Sequence, residues 1–498
     1  MVEKDDIATM ENFKFKNFVN FNKNEVSYRE IETFVLSLLE LKLKKDRKKF
    51  TKYVKEEILF NDGKKFYFEF DGVAADGIDD LEGPTIVEFK RSFSESLFDF
   101  IQESYKFYPA YRSVLLITSS TLTSEEKKYF VELSKKLPQN FAIKIWDSKE
   151  IINLSTEFLD ESTKLINNLG KEVLKSTVEI ASKSINWKQE RDGLINNLNQ
   201  SFKNDEIVFF LGSGVSKDAG LPAWDELLRS LNISIIESKV PFKLNSSQKE
   251  EIIKVLTKLQ EGTPLVTASY IRKALDEGFL DEIRKALYAT VKPLSEQRQL
   301  STIATASRPL IGKLGVKALI TYNFDDLLEQ HLEKQNIDYK SIYREGDFEI
   351  PTKRPIYHVH GFVPSKKEKY SELDRAILVF AEDGYHTLQN DPYSWSNLVQ
   401  LKALRESTCV LIGLSGIDPN LRRLFSNFSK RYDGCKHYIL LQRQLIDTST
   451  SLSTDEFEQF STLHHKLQEG VFRELGLKVI WYEGHDDIPA LIKNITEL

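Results

Sequence analysis

Cysteine is nearly absent from this chain: only Cys409 and Cys435 occur in 498 residues. Two thiols exclude a disulfide scaffold and any four-cysteine zinc ribbon, and they suit a reducing compartment. Histidine is missing from the first 330 residues, since all eight lie at His331 or later. Chemistry in the N-terminal part must therefore run on carboxylates, lysines and hydroxyls, which excludes histidine-metal nucleases and Ser-His-Asp hydrolases there. Long apolar runs are missing too: Ile207–Leu211 and Val410–Leu414 have strand length, far short of a membrane span. Residues 1–18 set acids and lysines where a secretory leader needs an apolar stretch, so the expectation is a cytoplasmic chain with no membrane contact. Neither charge dominates. Lys+Arg 69 against Asp+Glu 75 give a formal net charge of −6, which argues against a globally basic nucleic-acid binder but leaves room for a local basic groove.

Hydrophobic residues at 41% and charged residues at 29% are a globular balance, and the length allows two to four domains. Residues 25–60 read as helix from Ile31, Phe34, Val35, Leu38 and Leu39, with a basic run from Lys42 to Lys55 inside it. Strands are expected at Phe66–Phe70, Thr85–Phe89, Val114–Thr118 and Ala142–Trp146, with helices at Phe98–Tyr108 and Ser124–Lys136. This alternation predicts an α/β domain over 1–154. Residues 155–203 read as a helical connector with a narrow apolar face, a candidate assembly surface. A second α/β domain is expected over 204–498, with strands at 207–211, 316–321, 355–359, 408–413, 437–441 and 478–482.

The string Phe210-Leu211-Gly212-Ser213-Gly214-Val215-Ser216-Lys217-Asp218-Ala219-Gly220-Leu221-Pro222-Ala223-Trp224 runs from a buried strand into a glycine turn and a helix start. Such a turn lets backbone approach a pyrophosphate, with helix N–H groups facing its charge. It resembles the sirtuin NAD signature Gly-Ala-Gly-x-Ser-x-x-Ala-Gly-Ile-Pro-x-Phe. Three further stretches follow in sirtuin order: Thr321-Tyr322-Asn323-Phe324-Asp325, His358-Val359-His360-Gly361 and Gly413-Leu414-Ser415. The resemblance spans about 205–498 and implies a Rossmann-like sirtuin fold. It implies NAD+ contacts from Gly212, Ser213, Gly214, Ser216, Ala219, Gly220, Pro222, Trp224, Thr321, Gly413, Ser415 and Asp418.

The departures are informative. Tyr322 and Ser213 replace the family Gln and Ala, and the zinc cysteines of deacylating sirtuins are absent, so no zinc is expected. Gly413-x-Ser415-x-x-Asp418-Pro419-Asn420-Leu421, with Glu382-Asp383-Tyr385 upstream, resembles bacterial sirtuin-like effectors of antiphage defence, which implies an NAD+ hydrolase. Breaking the nicotinamide–ribose bond needs a held ribose, an aligned water and one proton acceptor. Asn323 would position water or a ribose hydroxyl, His360 would act as base, and Asp325 would orient the nicotinamide end or stabilise positive charge. His358 is read as packing, and His464-His465 as surface.

In the N-terminal part, alternation places Glu88 and Lys90 on one strand face, and a hairpin through 75–84 can bring Asp71 beside them. Asp71, Glu88 and Lys90 would form a Mg²⁺ site with Asp71 and Glu88 as metal ligands and a water-activating lysine, or else an ordinary cross-strand ion pair. Phe70-Asp71-Gly72-Val73-Ala74…Gly83-Pro84-Thr85-Ile86-Val87-Glu88-Phe89-Lys90-Arg91 resembles the catalytic hairpin of Mrr-like restriction endonucleases, which implies the PD-(D/E)xK nuclease fold over roughly 25–155. Asp79 is a rival for the place of Asp71. The Lys42–Lys55 run would track nucleic-acid phosphates or be a solvated helix face.

The resulting expectation is an antiphage effector that depletes NAD+ in abortive infection, with an N-terminal domain that cuts or senses DNA or docks a partner. Rival expectations are a Mg²⁺-dependent nuclease regulated by a bound nucleotide, and a protein deacylase. The resemblance also implies a homo-oligomer or a HerA-like translocating ATPase as partner.

Overall fold

The computed structural model describes residues 26–59, 65–91, 107, 110–137, 140–182, 186–239, 244–259, 264–309, 315–429, 435–443 and 453–497. They form two compact units. One comprises residues 1–194 with 426–435 and 445–477, the other 195–425 with 436–444 and 478–498. The helical connector is thus divided: its residues to 194 fold with the first unit, and its last turns with the second. The helix Thr454–Glu474 also belongs to the first unit, where it packs on the helix Leu169–Ser182. That long-range pairing is invisible to local periodicity. The expected helix Phe98–Tyr108 lies, but for Phe107, outside the described residues. Among the described residues no helix is long and apolar enough to cross a membrane.

The first unit is built on a five-stranded sheet in sequential order: β1 Phe50–Leu59, β2 Lys65–Ala74, β3 Thr85–Lys90, β4 Ser113–Thr118 and β5 Ala142–Trp146. β1–β2 and β2–β3 are antiparallel, whereas β3–β4 and β4–β5 are parallel. Residues 25–60 are not one helix. A Ser27–Glu30 capping box starts the helix Tyr28–Lys45, the left-handed Arg47 (φ +57°) ends the turn after it, and Phe50–Leu59 pairs with β2. The lysine-rich composition masked that change, because lysine and glutamate suit a helix as well as an edge strand. Buried side chains of β3 and β4 alternate between two cores, Val87, Phe89, Leu115 and Ile117 on one side and Ile86, Val114 and Leu116 on the other. A sheet covered on both faces explains the near-continuous apolar runs.

The second unit is a seven-stranded sheet ordered β12-β11-β10-β6-β7-β9-β8, from β6 Ile207–Leu211, β7 Val316–Thr321, β8 Tyr339–Ile342, β9 Arg354–His358, β10 Thr408–Ile412, β11 His437–Gln442 and β12 Leu477–Tyr482. All pairings from β11 through β8 are parallel. β6, first in sequence, sits in the middle, with β7 and β10 on either side. The chain therefore reverses its winding direction between β6 and β10, and the crevice beyond the strand ends at such a switch point is where nucleotides bind in open α/β sheets. Sequence periodicity missed only β8, a four-residue edge strand.

Candidate active site

Every residue expected from sequence to bind or cleave NAD+ lies at the carboxyl ends of β6, β7, β9 and β10 or on the turns and helices that follow them. Backbone hydrogen bonds continue past the strands and lock those segments together. The Gly212 N–H donates to Ile412 (3.0 Å), Tyr322 N–H to Leu211 (2.9 Å), Val359 N–H to Thr321 (3.1 Å) and Val363 N–H to Phe324 (2.7 Å).

Within this frame Asn323 is held through its amide nitrogen. Nδ2 donates to the Gly212 carbonyl at 3.0 Å and to the Ser216 hydroxyl at 2.9 Å. Because a carbonyl can only accept, this fixes which end of the amide is nitrogen. No described residue bonds Oδ1, so the acceptor end is left for a ligand. The Ser216 hydroxyl in turn donates to Asp325 Oδ2 at 2.9 Å. Asp325 Oδ1 accepts the Leu327 N–H (3.1 Å), at the start of the helix Leu327–Lys334. Burial pushes the Asp325 carboxyl up to about 6, against the pull of those two hydrogen bonds. Each of its oxygens thus accepts one hydrogen bond from inside the protein, which fixes the carboxyl beside Asn323. Thr321 also supports from within, its hydroxyl accepting the Asn323 N–H at 3.0 Å.

The glycines meet close protein neighbours. A Cβ on Gly212 would fall 2.5 Å from the Leu414 side chain and 2.6 Å from the Gly413 carbonyl oxygen. One on Gly214 would fall 2.7 Å from Gly413 Cα. The Gly214 N–H is also spent on the Gly413 carbonyl (3.0 Å). The turn after β6 crosses the turn after β10 closely enough that protein contacts alone already require a bare backbone at both positions. Gly413 is left-handed (φ +69°), and a Cβ there would meet the Val215 nitrogen at 2.6 Å. Gly220 and the buried Ala219 pack against the segment 290–292, where Lys292 N–H donates to the Ala219 carbonyl. Ser213 and Ser415 are exposed, and Pro222, Trp224 and Asp418 partly so. Gly214, Gly220 and Gly413 are also partly exposed, so all eight are open to a ligand.

His360 follows β9 and is 5% exposed. Burial lowers its pKa, opposed by Asp418, so its imidazole is neutral near pH 7. Its backbone is pinned by the Val379 N–H (2.6 Å). His358 is fully buried, as its packing role requires, but it is also paired. Nε2 lies 2.7 Å from Glu329 Oε1, which accepts the Ser341 hydroxyl at 2.8 Å, and Nδ1 lies 3.4 Å from the Asn323 carbonyl. Glu329 was not foreseen. No local pattern distinguishes it, since its partners come from β8 and β9. His465, expected at the surface, is buried within the helix Thr454–Glu474 and belongs to the first unit.

In the first unit, the β2–β3 register pairs Gly72 with Val87 and continues toward Asp71 and Glu88. Asp71 Oδ2 accepts the Phe89 N–H at 2.7 Å, and Lys90 Nζ lies 3.0 Å from Glu88 Oε2. Asp79 is elsewhere, near the hairpin tip and paired with Lys42 (3.1 Å), so Asp71 is the acid beside Glu88. Glu32, 2% exposed on the helix Tyr28–Lys45, is the acid sequence reasoning missed. Its signal was a carboxylate on an apolar helix face. Burial first, then Glu88 and Glu32, holds the Asp71 carboxyl well above the usual range. Burial also raises Glu88, against Lys90. Among the described residues no group of three or more acid, histidine or cysteine side chains is arranged as a metal-ligand set. Of the basic run, Lys42, Lys45, Lys52 and Lys55 are paired with acids of this unit.

Comparison with known proteins agrees with the C-terminal geometry. Residues 317–463 match the model of the SIR2-like domain. The chain is 20% identical over 318 residues to the NAD(+) hydrolase ThsA of Acinetobacter baumannii (strain 532279), covering 62% of this chain and 57% of that protein. It is 21% identical over 319 residues to the protein of the same name from Enterococcus faecium, covering 61% and 58%. It is 24% identical over 203 residues to that of Bacillus cereus (strain MSX-D12), covering 38% of each. The chain thus spans from under two fifths to under three fifths of the length of these relatives. The protein is a mixed α/β chain whose C-terminal part carries a SIR2-like domain on a parallel sheet.

Proposed function

We propose that the second unit hydrolyses NAD+ to nicotinamide and ADP-ribose. The observation that carries this reading is the convergence, at the β6/β10 switch point, of an Asn323 amide with a free acceptor end and a neutral His360. Supporting it are the SIR2-like match and relatives named NAD(+) hydrolases. The leaving nicotinamide begins cationic, so the C1′–N bond breaks without acid assistance and the ribose carbon takes on oxocarbenium character. Asn323 Oδ1 accepts from water or a ribose hydroxyl, and His360 receives the proton. Such a site depletes NAD+ in a defence response, so it is held closed until triggered; His360 at 5% exposure fits that state. The test is nicotinamide release from NAD+ by purified protein, with and without DNA and neighbouring gene products. Activity is expected in at least one condition, and lost in Asn323→Ala and His360→Ala. Full release by either variant refutes the assignment.

A second reading concerns the first unit. Asp71, Glu88 and Lys90 lie close together as a Mrr-like nuclease site would need, with the Asp71 carboxyl raised first by burial and then by Glu88 and Glu32. Asp71 and Glu88 would hold Mg²⁺, with phosphate and water supplying its other ligands; bound there, it would supply Lewis-acid chemistry for phosphodiester hydrolysis. The paired lysines of the basic run leave less free positive charge for DNA than its composition implies. DNA, a homo-oligomer and a translocating ATPase remain proposed partners, and the cytoplasm the proposed location.

A further inference from the structure

Two features of the C-terminal site say more about the water than the chemistry above. His360 Nε2 is buried and has no hydrogen-bond partner. Asp418 Oδ2 lies 3.9 Å from that nitrogen, too far for a direct hydrogen bond. Asp418 itself is firmly held: Oδ1 accepts the Leu421 N–H at 2.7 Å and Oδ2 accepts the Tyr385 hydroxyl at 2.6 Å. The imidazole is held by aromatic edges, Tyr322 at 4.3 Å and Tyr385 at 5.7 Å between ring centres. The Tyr322 hydroxyl is occupied by Gln400.

We propose that His360 Nε2 and Asp418 Oδ2 together seat the attacking water of NAD+ hydrolysis, with Tyr385 as the positioning residue for Asp418. This rests on the NAD+-hydrolase reading and gives Asp418 a place at the reacting atoms rather than in nucleotide binding alone. With the proton on Nδ1, Nε2 is the acceptor and the basic nitrogen, and a carboxylate is only ever an acceptor. Two acceptors 3.9 Å apart need a bridging group that donates twice. Water has two O–H bonds, whereas a ribose hydroxyl has one and would leave one acceptor unsatisfied. A water bridging the pair keeps its lone pairs free to attack.

The step balances. The water oxygen bonds to C1′ as the C1′–N bond breaks, and the electron pair of that bond moves to the pyridine nitrogen, cancelling its positive charge. One water proton passes to His360 Nε2, and the other stays on the new anomeric hydroxyl. Asp418 stabilises the imidazolium, which then releases its proton to solvent. Among the described residues, the titratable groups facing His360 are Asp418 from the segment after β10, Tyr385 from the helix Glu382–Asn390 and Tyr322 just after β7. Burial holds both tyrosine hydroxyls above their ordinary range and therefore neutral, leaving Asp418 as the charge that His360 senses.

The test uses Asp418→Asn in the full chain, which keeps the shape and removes the charge. Expected are a fall in kcat for nicotinamide release of about 10²-fold or more, a KM for NAD+ changed less than about threefold, and a larger share of methyl ADP-ribose when methanol competes with water. Independently of turnover, the His360 ring titration followed by NMR should move to lower pH, because the carboxylate favours the charged ring. Tyr385→Phe leaves the Leu421 cap intact and serves where Asp418→Asn folds poorly. Its kcat should fall about 3–10-fold, by the loss of roughly one hydrogen bond. A raised KM with unchanged kcat would assign Asp418 to NAD+ binding and overturn the proposal, as would an unmoved His360 titration. If the wild type releases no nicotinamide under any condition, the hydrolase reading fails and the water seat with it, while the NMR titration still reports whether the two side chains are coupled.

Discussion

Gly214→Ala separates two explanations for the glycine turn. If that glycine were bare to admit a pyrophosphate, the variant would fold normally and lose NAD+ affinity. The structure requires the reverse order of effects. The added methyl lies 2.7 Å from Gly413 Cα and 3.0 Å from its oxygen, where carbon pairs rest at roughly 3.5–4.0 Å, so the turn after β10 must retreat by about 1 Å. That turn is held by the Gly212 and Gly214 N–H bonds to Ile412 and Gly413. Overpacking costs about 1–3 kcal/mol and a weakened hydrogen bond about 1 kcal/mol. The narrower unfolded ensemble of alanine returns about 0.4–1 kcal/mol. The net loss is about 1–3.5 kcal/mol, and at roughly 2–4 °C per kcal/mol for a unit of this size the melting temperature falls by about 2–14 °C. Scanning calorimetry of the full chain without nucleotide measures it. An unchanged ligand-free melting temperature with NAD+ affinity reduced tenfold would refute the crossing-turn argument.

Asp325→Asn tests the buried carboxyl. Its folded pKa of about 6 lies above the unfolded value near 3.8, so the wild type gains stability as pH falls and loses about 3 kcal/mol as pH rises from about 4 to about 6. In denaturant titrations the difference between wild type and variant should vary across that window and be level above it; a constant difference would show that Asp325 is not buried as described. Glu329→Ala leaves His358 and Ser341 without their buried partner and should cost about 3–5 kcal/mol, whereas Glu329→Gln keeps an acceptor and should cost less; equal melting points for the two variants would contradict the pairing. In the first unit, Mg²⁺ or Mn²⁺ at tenfold its Kd should add about 1.4 kcal/mol to wild-type stability and nothing to Asp71→Asn, and equal shifts in a thermal assay would remove Asp71 from the metal site.

The second unit was legible in the sequence because its signals are local. A buried strand, a glycine turn and a helix start occupy adjacent positions in 207–224, and Asn323 and His360 sit directly after strands that apolar runs reveal. The order of these segments implied a parallel sheet, and the switch point follows from β6 lying between β7 and β10. Which side chains meet was decided elsewhere. Glu329 finds His358 through helix-to-sheet packing, Asp418 approaches His360 from a segment almost sixty residues later, and Glu32 joins Asp71 from a helix whose neighbouring residues only advertise a core. The glycines show the same division most clearly. Sequence marks where a side chain is unwelcome, but whether the forbidding neighbour is a ligand or another turn depends on contacts across 200 residues of chain. Backbone pattern is written in nearest-neighbour chemistry, whereas the charge, burial and spacing that make a site reactive arise only when distant segments exclude water from the same point.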